Sequence, residues 1–294
     1  MSNARELAQI PSTPSGRRNL IINGDFRVSQ RGDYTSATNF VHNTYMLDRW
    51  KVATGVTSTI QDLGGYIKLL ATASATSTMR IFQLIEDLYF LEGKTVVLSC
   101  EMKTNSSNGR LQINNGSWVS TNAVHSGSGQ WEKLYFTTTM PSSLSVTSVQ
   151  VGIDGASSAD VLISSGDYCE IKNVQLEVGS VATEFEHRSF GEELALCQRY
   201  FEIATPLATF ATTSNVYGQV IASVTKRVNP TGSQIGSPRY YRAGGFDVNA
   251  SSGFTLSTQS GQESNGYFFL HNFTGIIAGD ATTIYGKIAL DSEL

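Results

Sequence analysis

Tyr168 to Glu202 reads YCEIKNVQLEVGSVATEFEHRSFGEELALCQRYFE, and this stretch divides the chain. Up to Val178 it has the pattern of a strand that closes a β domain. Cys169 and Ile171 share one phase, whereas Val174, Leu176 and Val178 share the other, so the apolar alternation slips. A β-bulge between Ile171 and Val174 is the simplest cause. A tight turn, an acidic step and a short helix follow. Ser189 and Glu192 form a Ser-x-x-Glu capping box, with Glu192 and Glu193 at the positive end of the helix dipole. Phe190, Leu194, Cys197 and Phe201 recur at spacings of four, three and four, which is a heptad seam. The seam predicts either a short helix lying on its own domain or a neck packed against copies of itself. The connector is expected over 187–203.

Upstream, from about residue 19 to 186, short apolar runs alternate with turn chemistry. Asn19 to Val28 (NLIINGDFRV) reads as a first strand interrupted by an Asn23-Gly24 turn. Gly64-Gly65 lies between STIQDL and YIKLLA and predicts a hairpin. From Thr95 to Met102 the alternation is clean: Val96, Leu98, Cys100 and Met102 face one way. Cys100 is therefore a small core residue. Thr78 to Ile85 is expected as a strand, with a helical turn over Glu86 to Leu91. Strands at this spacing predict a sandwich of two antiparallel sheets. Residues 204–294 are β again, in a smaller Gly-rich domain with candidate strands at Tyr217–Val228, Tyr240–Val248, Phe254–Thr258, Tyr267–Phe273 and Thr283–Leu290. Met1 to Arg18, with Pro11 and Pro14, is a composition outlier, either a frayed terminus or a docking peptide that orders against a partner. The fold class is thus all-β with one connector helix.

The 294 residues suffice for two cores, and 16% charged residues with abundant Gly favour turn-rich β structure. A net charge of −4 with both signs scattered leaves no basic face for nucleic acid. Three cysteines do not make a disulfide framework. No apolar run is long enough to span a bilayer, and the N-terminus has no apolar signal-peptide region, so synthesis in the cytosol is expected.

Catalytic patterns are missing. His42, His125, His187 and His271 have no partners at metal-ligand spacing, and there is neither a nucleophile elbow nor a phosphate loop. Carboxylate pairs such as Asp160/Asp167 and Glu184/Glu186 read as surface groups, and Cys197 on the seam as core. A structural calcium site is conceivable at Asp25, although Lys172-Asn173 on the last strand offers no second carboxylate. Aromatic residues are the best pointer to a ligand. Trp50 and Trp131 are expected in the core. Trp118 follows an Asn-Asn-Gly turn, where its ring could stack on a sugar; Tyr34 and Tyr45 are further glycan candidates.

Two patches carry a family resemblance. Arg18 to Gly32 (RNLIINGDFRVSQRG), followed by Leu47-Asp48-Arg49-Trp50, resembles the start of a module common in bacteriophage tail-fibre and other virion proteins. Val174 to Gly179 (VQLEVG) and Ala182 to Glu202 resemble its end, so the likeness covers roughly residues 18–202. Gln83 with Gly93-Lys94 and Ser99 is similar to the jelly-roll pattern of carbohydrate-binding modules. The resemblance implies a virion protein assembled in the host cytoplasm, a homotrimeric fibre or fibre tip. Its N-terminal peptide (Arg5, Leu7, Ile10) would dock on other virion proteins, and its jelly roll would bind a host surface glycan or protein without catalysis. The alternatives are a head fibre or decoration protein and a capsular polysaccharide depolymerase. The last 90 or so residues resemble no nameable family.

Overall fold

The computed structural model describes residues 17–293 apart from 87, 115–117, 146, 157–158, 212–214, 243–246, 258–265 and 274–281. Two compact units divide the chain, one ending at Phe190 and one beginning at Gly191.

The first unit is a two-sheet antiparallel sandwich. Its six-stranded sheet has the order β1-β3-β4-β13-β7-β10, built from β1 (Thr38–Asn39), β3 (Ser58–Asp62), β4 (Ile67–Ala71), β13 (Tyr168–Val178), β7 (Thr95–Thr104) and β10 (Trp131–Thr139). The five-stranded sheet has the order β2-β6-β11-β8-β9, from β2 (Lys51–Thr54), β6 (Met79–Leu84), β11 (Ser148–Ile153), β8 (Gly109–Asn114) and β9 (Trp118–Val124). A small β5 (Ala75–Ser77) and β12 (Val161–Ile163) pair beside them. Between the sheets lie the alternating residues that the period of two selects. Val96, Leu98, Cys100 and Met102 of β7 meet Ile81 of β6 and Val149, Val151 and Ile153 of β11 in one buried cluster. Trp50 is wholly buried in the same cluster, its indole tilted against Phe26 at 5.3 Å.

Several local signals become structure as expected. Gly64 and Gly65 take positive φ between β3 and β4. A single 3-10 turn at Leu88–Phe90 follows β6. In β13 the register slips between Lys172 and Gln175, so the bulge is present, with Asn173 at φ 55°.

The segment 19–28 is not a strand. Side-chain amides replace the ladder there. Asn19 Oδ1 accepts from Ile21 N and Leu176 N, while its Nδ2 donates to Val174 O. Asn23, at φ 58°, accepts from Val28 N and donates to Val28 O and Asp48 O. Trp50 Nε1 donates to Asn23 O at 2.9 Å. Gly24 permits a close backbone approach: a Cβ there would lie 2.2 Å from Val174 O.

The end of the module locks onto this beginning. Glu186 accepts from Arg18 N and Asn19 N. Arg188 donates to Ile21 O at 3.0 Å and to Asn19 O, and Arg27 donates to Arg188 O at 2.7 Å. Gln83 pairs with both backbone groups of Ile22. Arg18, Asn19, Asn23, Arg27, Gln83, Glu186 and Arg188 therefore form a clasp that satisfies buried backbone groups and joins the two ends of the sandwich.

The helix α1 (Phe190–Gln198) starts directly after Ser189, as its capping position requires, and from Gly191 onward it belongs to the second unit. It is shorter than the expected 187–203. Phe201 lies beyond it in β14 (Phe201–Ala204), so the four-residue seam does not continue along one helix. Cys197 and Phe201 are buried, Leu194 is half-buried and Phe190 is exposed. A seven-stranded sheet follows, ordered β14-β20-β17-β18-β19-β16-β15. It comprises β15 (Pro206–Ala211), β16 (Asn215–Ile221), β17 (Thr231–Arg242), β18 (Asp247–Ser257), β19 (Gly266–Phe273) and β20 (Thr282–Asp291). Its two edge strands, β14 and β15, are separated by Thr205 alone, so one run of chain supplies both ends of the sheet. Inside this unit Glu202 is buried with Lys226 at 2.9 Å and accepts from Ser223 N.

Candidate functional site

Strand register assembles a polar surface on the outer face of the five-stranded sheet. In β6, β8 and β11 the residues opposite the core positions are Arg80, Phe82 and Leu84; Arg110, Gln112 and Asn114; and Ser148, Gln150 and Gly152. Pairing places them in rows. One row runs Tyr45, Lys51, Phe82, Gln150, Gln112, Ser120 across the sheet. A second runs Leu84, Ser148, Asn114, Trp118. At about 4.8 Å per strand, the first row spans about 24 Å.

The floor of this face is polar and buried. Gln112 is 1% exposed and donates to Gly155 O at 3.0 Å. Gln150 is 5% exposed; its Nε2 reaches Ser148 Oγ at 3.4 Å, and its Oε1 has no hydrogen-bond partner among the described residues. A buried acceptor left in this state costs about 1–3 kcal/mol. Asp154 continues the same phase past β11 and forms an ion pair with Arg80. Burial raises the Asp154 pKa despite the Arg80 and Arg110 charges, and burial lowers that of Arg110. Gly152 lets β11 lie close to β6: a Cβ there would meet Met79 O at 2.4 Å. The face therefore offers amides, guanidinium groups and one paired carboxylate, with Phe82 and Lys51 half-buried among them. Donors and acceptors in mixed array over an apolar ring suit a polyhydroxylated ligand.

Two of the three aromatic residues proposed from the sequence map to this face. Trp118 stands opposite Asn114, and its side chain lies outside those described. Tyr45 is at the other end, with Arg31 and Lys51 over its ring at 4.7 and 4.6 Å. Tyr34 is elsewhere: its carbonyl accepts from Asp62 N of β3, and its ring packs on the core. Trp131 is a correction. It is not core but 37% exposed on the outer face of the other sheet. Asp25 is buried and its carboxylate pairs with Arg27, so a calcium ion would have to displace that guanidinium. Among the described residues no group of three His, Cys, Asp or Glu side chains gathers there or elsewhere. Arg5, Leu7 and Ile10 lie outside the described residues. Gln112, Gln150, Arg80 and Arg110 were not singled out from the sequence. Their signal is the polar phase of GRLQIN and SVQVGI, strands whose other phase is wholly apolar, and Arg80 in MRIFQL, whose core phase is apolar except for Gln83.

No protein-family model and no curated protein matches the chain. Among solved structures it is similar to a CBM4 structure (18% identity, 53% of this chain and 98% of that one, TM-score 0.33). It is also similar to TmCBM61 in complex with beta-1,4-galactotriose (13% identity, 55% and 100%, TM-score 0.33). Over 92% of its length it is similar to the BppUct-A-L tripod from the baseplate of bacteriophage Tuc2009 (15% identity, 89% of that chain, TM-score 0.32). At these identities and scores the likenesses assign neither a ligand nor a place in a particle to this chain.

Proposed function

We propose that this chain is a bacteriophage virion protein, a tail fibre or fibre tip, whose jelly-roll module holds a host surface oligosaccharide on the outer face of the five-stranded sheet. The observation that carries the ligand is Gln150, a 5%-exposed amide with an unpartnered Oε1 in a row of polar groups that ends at Tyr45. A sugar hydroxyl donating to Oε1 would satisfy it, and Gln112, Asn114 and Arg110 would take further hydroxyls. The length of the row suits a chain of sugars rather than one. Asp154 is held in an ion pair by Arg80, which suits a fixed polar group of a binding face. The virion part of the reading rests on the two sequence patches, whose residues form the clasp. The N-terminal peptide would dock on the particle through Arg5, Leu7 and Ile10, and exposed Phe190 would begin the contact between three copies. Several weak sites per particle would supply adhesion through effective concentration.

The test is adhesion of the full chain to bacterial cells. Wild-type protein should bind cells of a susceptible strain and lose binding when surface polysaccharide is removed. Gln112→Leu with Gln150→Leu should lower adhesion by about tenfold or more, the worth of one good hydrogen-bonding group. Adhesion unchanged by both the stripping and the double variant would overturn the reading.

A further inference from the structure

The opposite face of the sandwich holds a second, smaller site. Segment 180–187 crosses the outer face of the six-stranded sheet and is pinned there. Thr183 N and Oγ1 both donate to buried Glu177, and Gln175 donates to Thr183 Oγ1 and Glu184 O. Val97, on the outward phase of β7, is fully buried on this face. Where the strap meets the sheet there is a cavity of about 170 Å³. Glu101, Lys133, Asn173 and Ser99 line its floor, and Thr183 and His187 its wall.

The polar groups of this cavity are prearranged. The bulge in β13 turns Asn173 into the left-handed region, and its amide donates to Glu101 at 2.7 Å. Bulges are used in this way to re-aim a side chain. Lys172 lies 3.0 Å from the same carboxylate, and Lys133 pairs with Glu184 at 3.2 Å. Burial raises the Glu101 pKa, but the Asn173 and Lys172 hydrogen bonds and the Lys172 and Lys133 charges outweigh it and hold it below the usual range. The carboxylate therefore stays an acceptor at neutral pH. Two residues before Lys133, on the same face of β10, Trp131 meets Tyr66 edge to face at 5.5 Å, with Lys172 over the indole. Both lysines of the site are matched by carboxylates, so an uncharged ligand is favoured over an anion. The volume is well below the roughly 300–1,000 Å³ of a pocket for a drug-sized molecule. We infer that the cavity bounded by Glu101, Asn173, Lys133 and the strap is a second carbohydrate site, taking one neutral sugar ring with Trp131 beside its apolar edge. It stands on different residues from the row through Gln150, and each reading can fail without the other.

The experiment is saturation-transfer NMR on the full chain with glucose, galactose, mannose and N-acetylglucosamine as probes. At least one should receive saturation. Glu101→Gln should weaken that binding by about tenfold, whereas Gln150→Leu should leave it unchanged. Trp131→Ala, on the exposed side of the face, gives the same readout if Glu101→Gln does not fold. No transfer to any of the four sugars would overturn the inference. So would transfer that survives both Glu101→Gln and Trp131→Ala, or that vanishes in Gln150→Leu alone.

Discussion

Arg188→Met tests whether the motif residues act as a clasp. The guanidinium is 8% exposed as part of its residue and donates to Ile21 O and Asn19 O, two carbonyls of a segment with no ladder of its own. Each hydrogen bond from a charged group is worth about 1.5–3 kcal/mol, so the pair contributes about 3–6 kcal/mol. Methionine restores part of the buried stem and removes the cost of burying a charge, which brings the expected loss to about 3 kcal/mol. For a unit of this size about 2–4 °C is lost per kcal/mol, giving a Tm lower by about 6–12 °C. The two units need not melt together. All three tryptophans, Trp50, Trp118 and Trp131, lie in the sandwich, so tryptophan fluorescence follows that unit alone. Hydrogen exchange should show early loss of protection at Leu20 N, which donates to Leu176 O across the clasp. A fluorescence Tm lowered by less than about 2 °C, with Leu20 still protected, would refute the reasoning.

Three further outcomes are expected. The Glu186 pKa is raised by burial but held below its usual value overall by the Asn19 and Arg18 N–H groups and the arginine charges, so its contribution is complete above the unfolded pKa of about 4.3 and is lost as pH falls through the folded value. Glu186→Gln should therefore lower Tm near neutral pH, and the gap to wild type should close as the pH drops below about 4. Gly152→Ala puts a methyl group against Met79 O and should push β11 from β6, costing about 1–3 kcal/mol by denaturant titration and weakening glycan binding through displaced Gln150. Light scattering should find a trimer, and Phe190→Asp should shift it towards monomer, because it places a charge on an apolar contact; a wild-type monomer would remove the fibre-neck reading.

Much of the sandwich was legible because its signals are local. The β7 alternation, the Gly64-Gly65 hairpin and the β13 phase slip each depend on a few neighbouring residues. What escaped depends on distant partners. NLIING looks like a strand because its residues are apolar, but Asn19 and Asn23 meet its backbone with amides whose other partners are about 25 to 157 residues away. In WEKLYF both phases carry large apolar groups, so sequence cannot decide whether Trp131 and Tyr135 or Leu134 and Phe136 face inward; the pairing with β7 places Trp131 beside Lys103, outside. The seam spacing was readable, but two turns cannot hold a helix against a better alternative, and Phe201 pairs with Asp291 in a sheet instead. The candidate face was half legible: Tyr45 and Trp118 drew attention as aromatics, while the amides between them become a site only through register.

Gln150→Leu tests the central claim most directly, with melting and titration against a panel of bacterial surface oligosaccharides measured on the same protein. The wild-type amide is buried with an unpartnered Oε1, so its replacement by an apolar side chain of similar size should leave Tm unchanged or higher. Binding of the oligosaccharide recognised by wild type should weaken by about tenfold or more. A variant that binds as wild type does, or a wild-type chain that binds none of the panel, would contradict the account.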